Sequence, residues 1–238
     1  MIDALMIDVG GVLVTPDAAR LAELLAGCGL ACPEEAVDRA VYGPAGADLG
    51  LHPDDDAETV LGAVRRYARR LGVPEHHVEP LLPGIGDVIL SGEWRARRPA
   101  ETIPALDAIA RAGVPVVIVT NATGHAADLL RRLGIAQVGP GPGAAVAAVI
   151  DSGLVGVAKP DPRIFEVALA AVGARPERSV HVGDSVRNDV ECAGRSGMFP
   201  VHFDPYGVCE LSDHEHVRSL PDVLGRLDRW ARLLTGGP

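Results

Sequence analysis

The sequence predicts an α/β protein, a doubly wound parallel sheet with an α-helical cap inserted after its first strand. Three observations predict it. From about residue 103 onward, short apolar runs alternate with helical segments, the pattern of strand–helix–strand crossovers in one parallel sheet. A lone apolar run, residues 4–9 (ALMIDV), precedes that alternation. Between the two, residues 15–98 show helical spacing and no convincing strand.

Each element has its own warrant. Gly10 and Gly11 break the first strand. Leu21, Leu24 and Leu25 share one helical face. Val60, Leu61, Val64, Tyr67, Ala68 and Leu71 form another, opened by Asp54, Asp55 and Asp56, which suit a helix N-terminus. Residues 91–100 (SGEWRARRPA) read as a basic linker with Arg95, Arg97 and Arg98 on a solvated face, the alternative being a cap hinge that offers them to substrate phosphate. A helix is then expected over 103–112 and a strand over 114–119, ending at Thr120. Next come a helix over 124–133, a loop over 138–144 and a strand over 146–150. A helix over 162–172 leads to a strand over 179–182, which ends at Gly183 and Asp184. A helix over 189–196, a strand over 199–203 and a last helix near 221–234 complete the pattern. The expected core is therefore residues 1–14 with 99–238, and the expected helical cap is 15–98.

Composition excludes some functions. The 238 residues carry a formal net charge of −10, and aromatics are only 3%. Nucleic-acid binding needs a basic footprint and often stacking platforms, so no nucleic-acid partner is expected. No apolar run approaches a membrane span, and the N-terminus, with Asp3 and Asp8, does not read as a signal peptide. Cys28, Cys32, Cys192 and Cys209 form no CxxC pair and read as free thiols in a reducing cytoplasm.

Ligands of open α/β sheets bind at the carboxyl ends of strands. Asp8, Thr120 and Asp184 stand at three such ends, and Lys159 lies in the loop 156–162 (GVAKPDP). Lys159 is the single lysine against 21 arginines, so its position argues for a chemical need that arginine does not meet. Carboxylates suit a hard cation such as Mg²⁺. A hydroxyl and an ammonium suit phosphoryl oxygens.

These residues resemble the motifs of the haloacid dehalogenase superfamily, most of whose members are phosphatases. Asp8 in IDVGGVL matches the first motif and Thr120-Asn121 the second. Lys159 in AKPDPRIF matches the third, and Asp184 with Asp189 in VGDSVRNDVECAGRSGM the fourth. The resemblance implies a Rossmann-like core and a Mg²⁺-dependent phosphohydrolase of a small phosphorylated metabolite. In that reading Asp8 is the nucleophile and forms an aspartyl-phosphate. Asp8, Asp184 and the backbone carbonyl of Gly10 hold Mg²⁺. Thr120, Asn121 and Lys159 bind the phosphoryl group, and Asp189 supports Lys159 or metal-bound water.

One departure stands out. Phosphatases of the family usually carry an aspartate two residues after the nucleophile, as acid and base; this chain has Gly10, so its motif is D-x-G-G. A branch resembling sugar-1-phosphate phosphatases also has Gly there, and haloacid dehalogenases proper have Tyr. The competing readings are a catalytically weak module that binds phosphorylated ligands or a protein, and a hydrolase of another bond type. A phosphoacceptor signalling domain would place its acidic metal residues first, whereas Asp184 comes last. Three further features read as background. Residues 139–143 (GPGPG) lack the N–H groups of a phosphate cradle at both prolines and read as a flexible connector. His125 reads as a surface helix residue near the site, the alternative being a group that assists leaving groups. Asp213, His214 and His216 carry metal-binding side chains but read as a solvated C-terminal loop. The substrate and the oligomeric state are not legible.

Overall fold

The computed structural model describes residues 1–43, 55–90 and 94–236. Asp54 and residues 91–93 of the expected linker lie outside the described residues. The chain opens with β1 (Ala4–Ile7) and β2 (Val14–Pro16), followed by α1 (Ala18–Ala26), α2 (Glu34–Val41), α3 (Ala57–Arg70) and α4 (Glu75–Leu90). It continues through β3 (Trp94–Ala96), α5 (Pro99–Arg111), β4 (Val116–Thr120), α6 (Ala126–Arg132), β5 (Ala136–Val138), β6 (Ala144–Val146) and β7 (Ala148–Asp151). Then come α7 (Ser152–Val155), α8 (Arg163–Val172), β8 (Ser179–Gly183), a π-helical turn (Val186–Glu191), α9 (Cys192–Arg195), β9 (Phe199–Phe203), β10 (Glu215–Val217) and α10 (Leu220–Thr235).

The main sheet has six strands in the order β10-β9-β8-β1-β4-β7, all parallel. A strand's side chains alternate between its two faces, and β1 shows the consequence. Leu5 and Ile7 join one apolar cluster with Leu106 and Ile109 of α5 and Leu227 and Trp230 of α10. Ala4 and Met6 join a second with Ile164 and Phe165 of α8 and Cys192 and Ala193 of α9. Helices on both faces leave β1, β4 and β8 buried throughout, as a doubly wound sheet requires. Each fully buried large apolar side chain contributes about 1.5–3 kcal/mol, so an aspartate at Met6 would open the second cluster.

The helices between β2 and β3 pack on one another, α1 on α2 and α4, α3 on α2 and α4. Asp17 caps α1 by accepting from the N–H of Ala19 at 3.0 Å, and Asp56 caps α3 by accepting from Thr59 at 2.8 Å. Gly84 lets α4 approach α1, because a Cβ there would sit 2.8 Å from a methyl carbon of Leu24. Helices α2 and α4 escape the apolar count in the sequence: the first is charge-rich, the second carries Pro80 and Pro83.

Three local expectations change. The basic linker contains β3, paired antiparallel with β2, Thr15 opposite Arg95. Arg97 is not on a solvated face. It is 1% exposed and binds Asp38 with two bonds, Nε to Oδ1 at 2.9 Å and a terminal nitrogen to Oδ2 at 3.0 Å. Tyr206 donates to the same Oδ2 at 2.8 Å, so Asp38 ties α2 to the β3–α5 connection and to the loop after β9. The expected strand over 146–150 is divided at Ala147, whose N–H turns to the Val116 carbonyl at 2.7 Å. The segment 139–143 is an ordered turn: the amide of Gln137 donates to the carbonyls of Gly139 and Gly143 and accepts from the Gly143 N–H. No described helix is long and apolar enough to cross a membrane.

Candidate active site

Parallel pairing brings the carboxyl ends of neighbouring strands together. Asp8 follows β1, Thr120 ends β4 and Asp184 follows β8, on three adjacent strands. Gly11 makes the turn after Asp8 with φ +69°, a conformation that glycine adopts without strain. A Cβ at Gly11 would lie 2.1 Å from Asp184 Oδ2, so the missing side chain also lets the two loops touch. Asp8, Asp184 and Asp189 are all buried, and each offers an oxygen within 4.8 Å of the others.

Lys159 joins this group from its loop. Its ammonium lies 2.8 Å from Asp8 Oδ1 and 2.6 Å from Asp189 Oδ1. The loop is held by Asn121, whose side-chain NH₂ donates to the Lys159 carbonyl and whose side-chain oxygen accepts from the Lys159 N–H, both at 2.8 Å. Asn121 therefore directs its amide to the Lys159 backbone. Asp189 reaches the cluster from the π-helical turn that Ser185 caps. Its Oδ2 accepts from the Ser185 N–H at 3.0 Å, and its Oδ1 also meets His181 Nε2 at 2.8 Å. Gly183 makes room for it, since a Cβ there would lie 2.1 Å from the Asp189 carboxyl carbon.

The electrostatics separate the two carboxylates that share Lys159. Burial pushes the Asp8 carboxyl up to about 7, against the pull of Lys159. Burial works against charge at Asp189 too, but Lys159 and His181 outweigh it and hold that carboxyl below the usual range. The Asp189 charge adds to the rise at Asp8, whereas the His181 hydrogen bond adds to the fall at Asp189. Burial disfavours the Lys159 ammonium, yet Asp189 and Asp8 together raise its pKa. Burial lowers the pKa of His181 and keeps its ring neutral. The cluster thus holds three carboxyl groups beside one ammonium, and its oxygen donors fit a hard divalent cation beside Asp8 and Asp184.

Several residues escaped the sequence reading. Tyr42 donates its hydroxyl to the Gly11 carbonyl, and burial raises its pKa so that the proton stays on. Trp94 covers Gly10, its ring carbons 3.7 and 3.8 Å from where a Cβ would be. Asp151, at the end of β7, accepts from the N–H groups of Gly124, Gly153 and Ala126 and so fixes the loop after Thr120. Nothing in local spacing marks Tyr42 or Trp94, because both reach the cluster from the insertion. His125 is exposed before α6, and none of the described contacts joins it to the cluster.

The sequence profile of haloacid dehalogenase-like hydrolases matches residues 2–197. A phosphoserine phosphatase of Thermus thermophilus is 36% identical over 115 residues, 47% of this chain and 44% of that protein. A phosphoglycolate phosphatase of Agrobacterium fabrum is 29% identical over 172 residues, 69% of this chain and 66% of that protein. The chain thus spans less than half the length of the first relative and about two thirds of the second. The crystal structure of a 2-haloacid dehalogenase from Pseudomonas syringae pv. tomato superposes with a TM-score of 0.58 over 97% of this chain and 100% of that one. At 21% identity the likeness is one of fold.

Proposed function

The chain belongs to the haloacid dehalogenase-like hydrolases, and we propose that it hydrolyses the phosphate monoester of a small metabolite in the cytoplasm, through attack by Asp8. The observation that carries this reading is the position of Lys159, held between Asp8 and Asp189 beside Asp184. Phosphoryl transfer depends on positioning and charge neutralisation more than on covalent ingenuity. Asp8, Asp184 and the Gly10 carbonyl would hold Mg²⁺, which when bound neutralises charge on the phosphoryl oxygens.

In this reading an oxygen of Asp8 attacks phosphorus and the ester oxygen leaves, giving an aspartyl-phosphate that water then hydrolyses. Lys159 and Thr120 bind the non-bridging phosphoryl oxygens, and Asn121 serves binding by fixing the Lys159 loop. Asp189 holds the ammonium in place from behind. Residues 15–98 act as a cap over the core formed by 1–14 and 99–238, with Tyr42 and Trp94 reaching the strand ends from the insertion. The test is phosphate release from a panel of phosphorylated metabolites, with Mg²⁺ and with chelator, for the natural chain and for Asp8→Asn. Release that needs Mg²⁺ and Asp8 supports the proposal; release that survives Asp8→Asn removes it.

A second reading has one observation in its favour. Gly10 lacks the usual acid, and Trp94 stands over that position. A module that binds phosphorylated ligands without turnover would show saturable binding in the same panel with no phosphate released.

A further inference from the structure

The loop expected to be solvated is the most unusual polar cluster outside the strand-end site. Asp213 is exposed, but the side chain of His214 is only 3% exposed, and His216 lies within β10. Strand geometry explains the gathering. His214 and His216 are two apart and so project from the same face of the chain. His216 is the register partner of His202 on β9, which places His202 beside both. Asp204 then folds the following turn, accepting from the N–H groups of Val208 and Cys209 at 3.0 Å each, and returns Cys209 to the same face. One donor atom from each of His202, Cys209, His214 and His216 lies within 4.8 Å of the other three.

The orientation of the rings is more telling than their proximity. His202 Nε2 lies 3.0 Å from the Asp184 carbonyl, so it carries the proton and leaves Nδ1 as a lone pair. His214 Nδ1 lies 2.7 Å from Asp213, which leaves Nε2 turned inward. His216 Nδ1 faces Asp204 at 3.7 Å, and its Nε2 is buried with no hydrogen-bond partner. Each ring thus has one nitrogen beside a carboxylate or carbonyl and the other left for a ligand, the arrangement by which metal-binding histidines are oriented. A proton shared between His214 and His202, 3.2 Å apart, would satisfy two rings but leave His216 Nε2 unpaired.

We propose that His202 Nδ1, Cys209 Sγ, His214 Nε2 and His216 Nε2 bind one zinc ion, at a site separate from the cluster around Asp8. A tetrahedral ion with Zn–N of about 2.0–2.1 Å and Zn–S of about 2.3 Å needs N···N near 3.4 Å and S···N near 3.6 Å. The His214–His202 spacing is 3.2 Å, the Cys209–His214 spacing is 4.0 Å, and the four donor atoms all lie within 4.8 Å of one another, so binding draws them inward around the ion. One thiolate with three imidazoles suits zinc better than Mg²⁺ or Ca²⁺, which take oxygen ligands. Cys209, His214 and His216 line an open cleft, which provides an entry path. On binding, the S–H proton of Cys209 leaves to solvent as the Zn–S bond forms. The ion would pin β9, β10 and the turn between them. Through His202 it would also hold the Asp184 carbonyl.

The test uses the full chain. Metal content is measured after incubation with Zn²⁺ and dialysis, and the absorption spectrum after reconstitution with Co²⁺. The proposal expects one retained equivalent of zinc, a tetrahedral Co²⁺ spectrum and a thiolate-to-metal charge-transfer band. Cys209→Ser should remove that band and His216→Ala the retained zinc, while Asp8→Asn keeps both. Asp204→Ala should weaken zinc binding by about 10–100-fold, the usual cost of removing an orienting partner. Wild-type chain without retained zinc, a Co²⁺ spectrum without the charge-transfer band, or zinc lost on Asp8→Asn and kept on His216→Ala would each overturn it. The wild-type spectrum decides the thiolate contact even if a variant fails to fold.

Discussion

The ammonium of Lys159 sits 2.8 Å from Oδ1 of Asp8 in surroundings that leave both residues nearly dry. A dry contact between a cation and a carboxylate whose pKa is pushed up to about 7 is a strained arrangement. It gives Asp8 and Lys159 separate, measurable signatures.

Lys159→Arg should cost nearly as much activity as Lys159→Ala. The ammonium fits between two carboxylate oxygens at 2.8 and 2.6 Å, and a planar guanidinium is larger and presents its donors in a fork. Both variants should lose about 10²–10³-fold in kcat, the range for removing one donor to transition-state charge. Steady-state rates on the best substrate check this; a fully active arginine variant would show that charge alone suffices.

Asp8 should make the metal-free protein less stable as pH rises. Its folded pKa, about 7, lies above the ordinary 3.8. Between those values the folded state holds a proton that the unfolded state has lost, so stability falls with rising pH across that window. Asp8→Asn removes the effect. In chelator, the Tm advantage of Asp8→Asn over wild type should grow from pH 5 to pH 8. Mg²⁺, in turn, should stabilise the wild type more at pH 8 than at pH 5, since it competes with the proton. An advantage independent of pH would show that burial of the Asp8 charge is not what limits stability.

Breaking the Arg97–Asp38 pair should destabilise the protein far more than breaking a surface pair. Both side chains are buried and joined by two bonds. Asp38→Ala leaves a buried guanidinium unpaired, a loss of about 3–5 kcal/mol. Replacing both, Asp38→Leu with Arg97→Met, should recover most of it. Denaturant titration of the two single variants and the double measures the coupling, and additive losses would rule it out.

The contrast between Arg97 and Lys159 shows what a sequence discloses. Lys159 is legible because it is the single lysine of the chain and lies in a loop beside strand ends. The alternating core was legible because parallel strands buried on both faces read as continuous apolar runs. Arg97 looked like one of several linker arginines, and its burial depends on Asp38, 59 positions away. The histidines were each visible, but their convergence depends on pairing His202 with His216 across a strand too short to declare itself. Contacts set by register and by the inserted helices are long-range, and local spacing carries no record of them.

Gly10→Asp should change which substrates the enzyme prefers. Expelling an alkoxide without a proton donor is slow, and slower as the leaving alcohol becomes less acidic. In the natural chain, log rate should therefore fall steeply as leaving-group pKa rises. Acyl, aryl and anomeric sugar phosphates should be good substrates and primary alkyl phosphates poor ones. The backbone at position 10 accepts a Cβ. Gly10 is not among the glycines of positive φ, and a Cβ there meets only the Trp94 ring at 3.7 Å, an ordinary contact. Gly11→Ala makes the contrasting control, because its φ is +69° and its Cβ would strike Asp184. It should damage both fold and activity. With an aspartate at position 10, the dependence on leaving-group pKa should become shallower. Alkyl phosphates should gain most, toward the ~10²–10⁴ that general acid catalysis supplies. The measurement is kcat across a series of monoesters for both proteins, with burst kinetics to confirm that chemistry limits turnover. A flat dependence in the natural chain would mean that another group already protonates the leaving oxygen, and Gly10 would then no longer explain substrate choice.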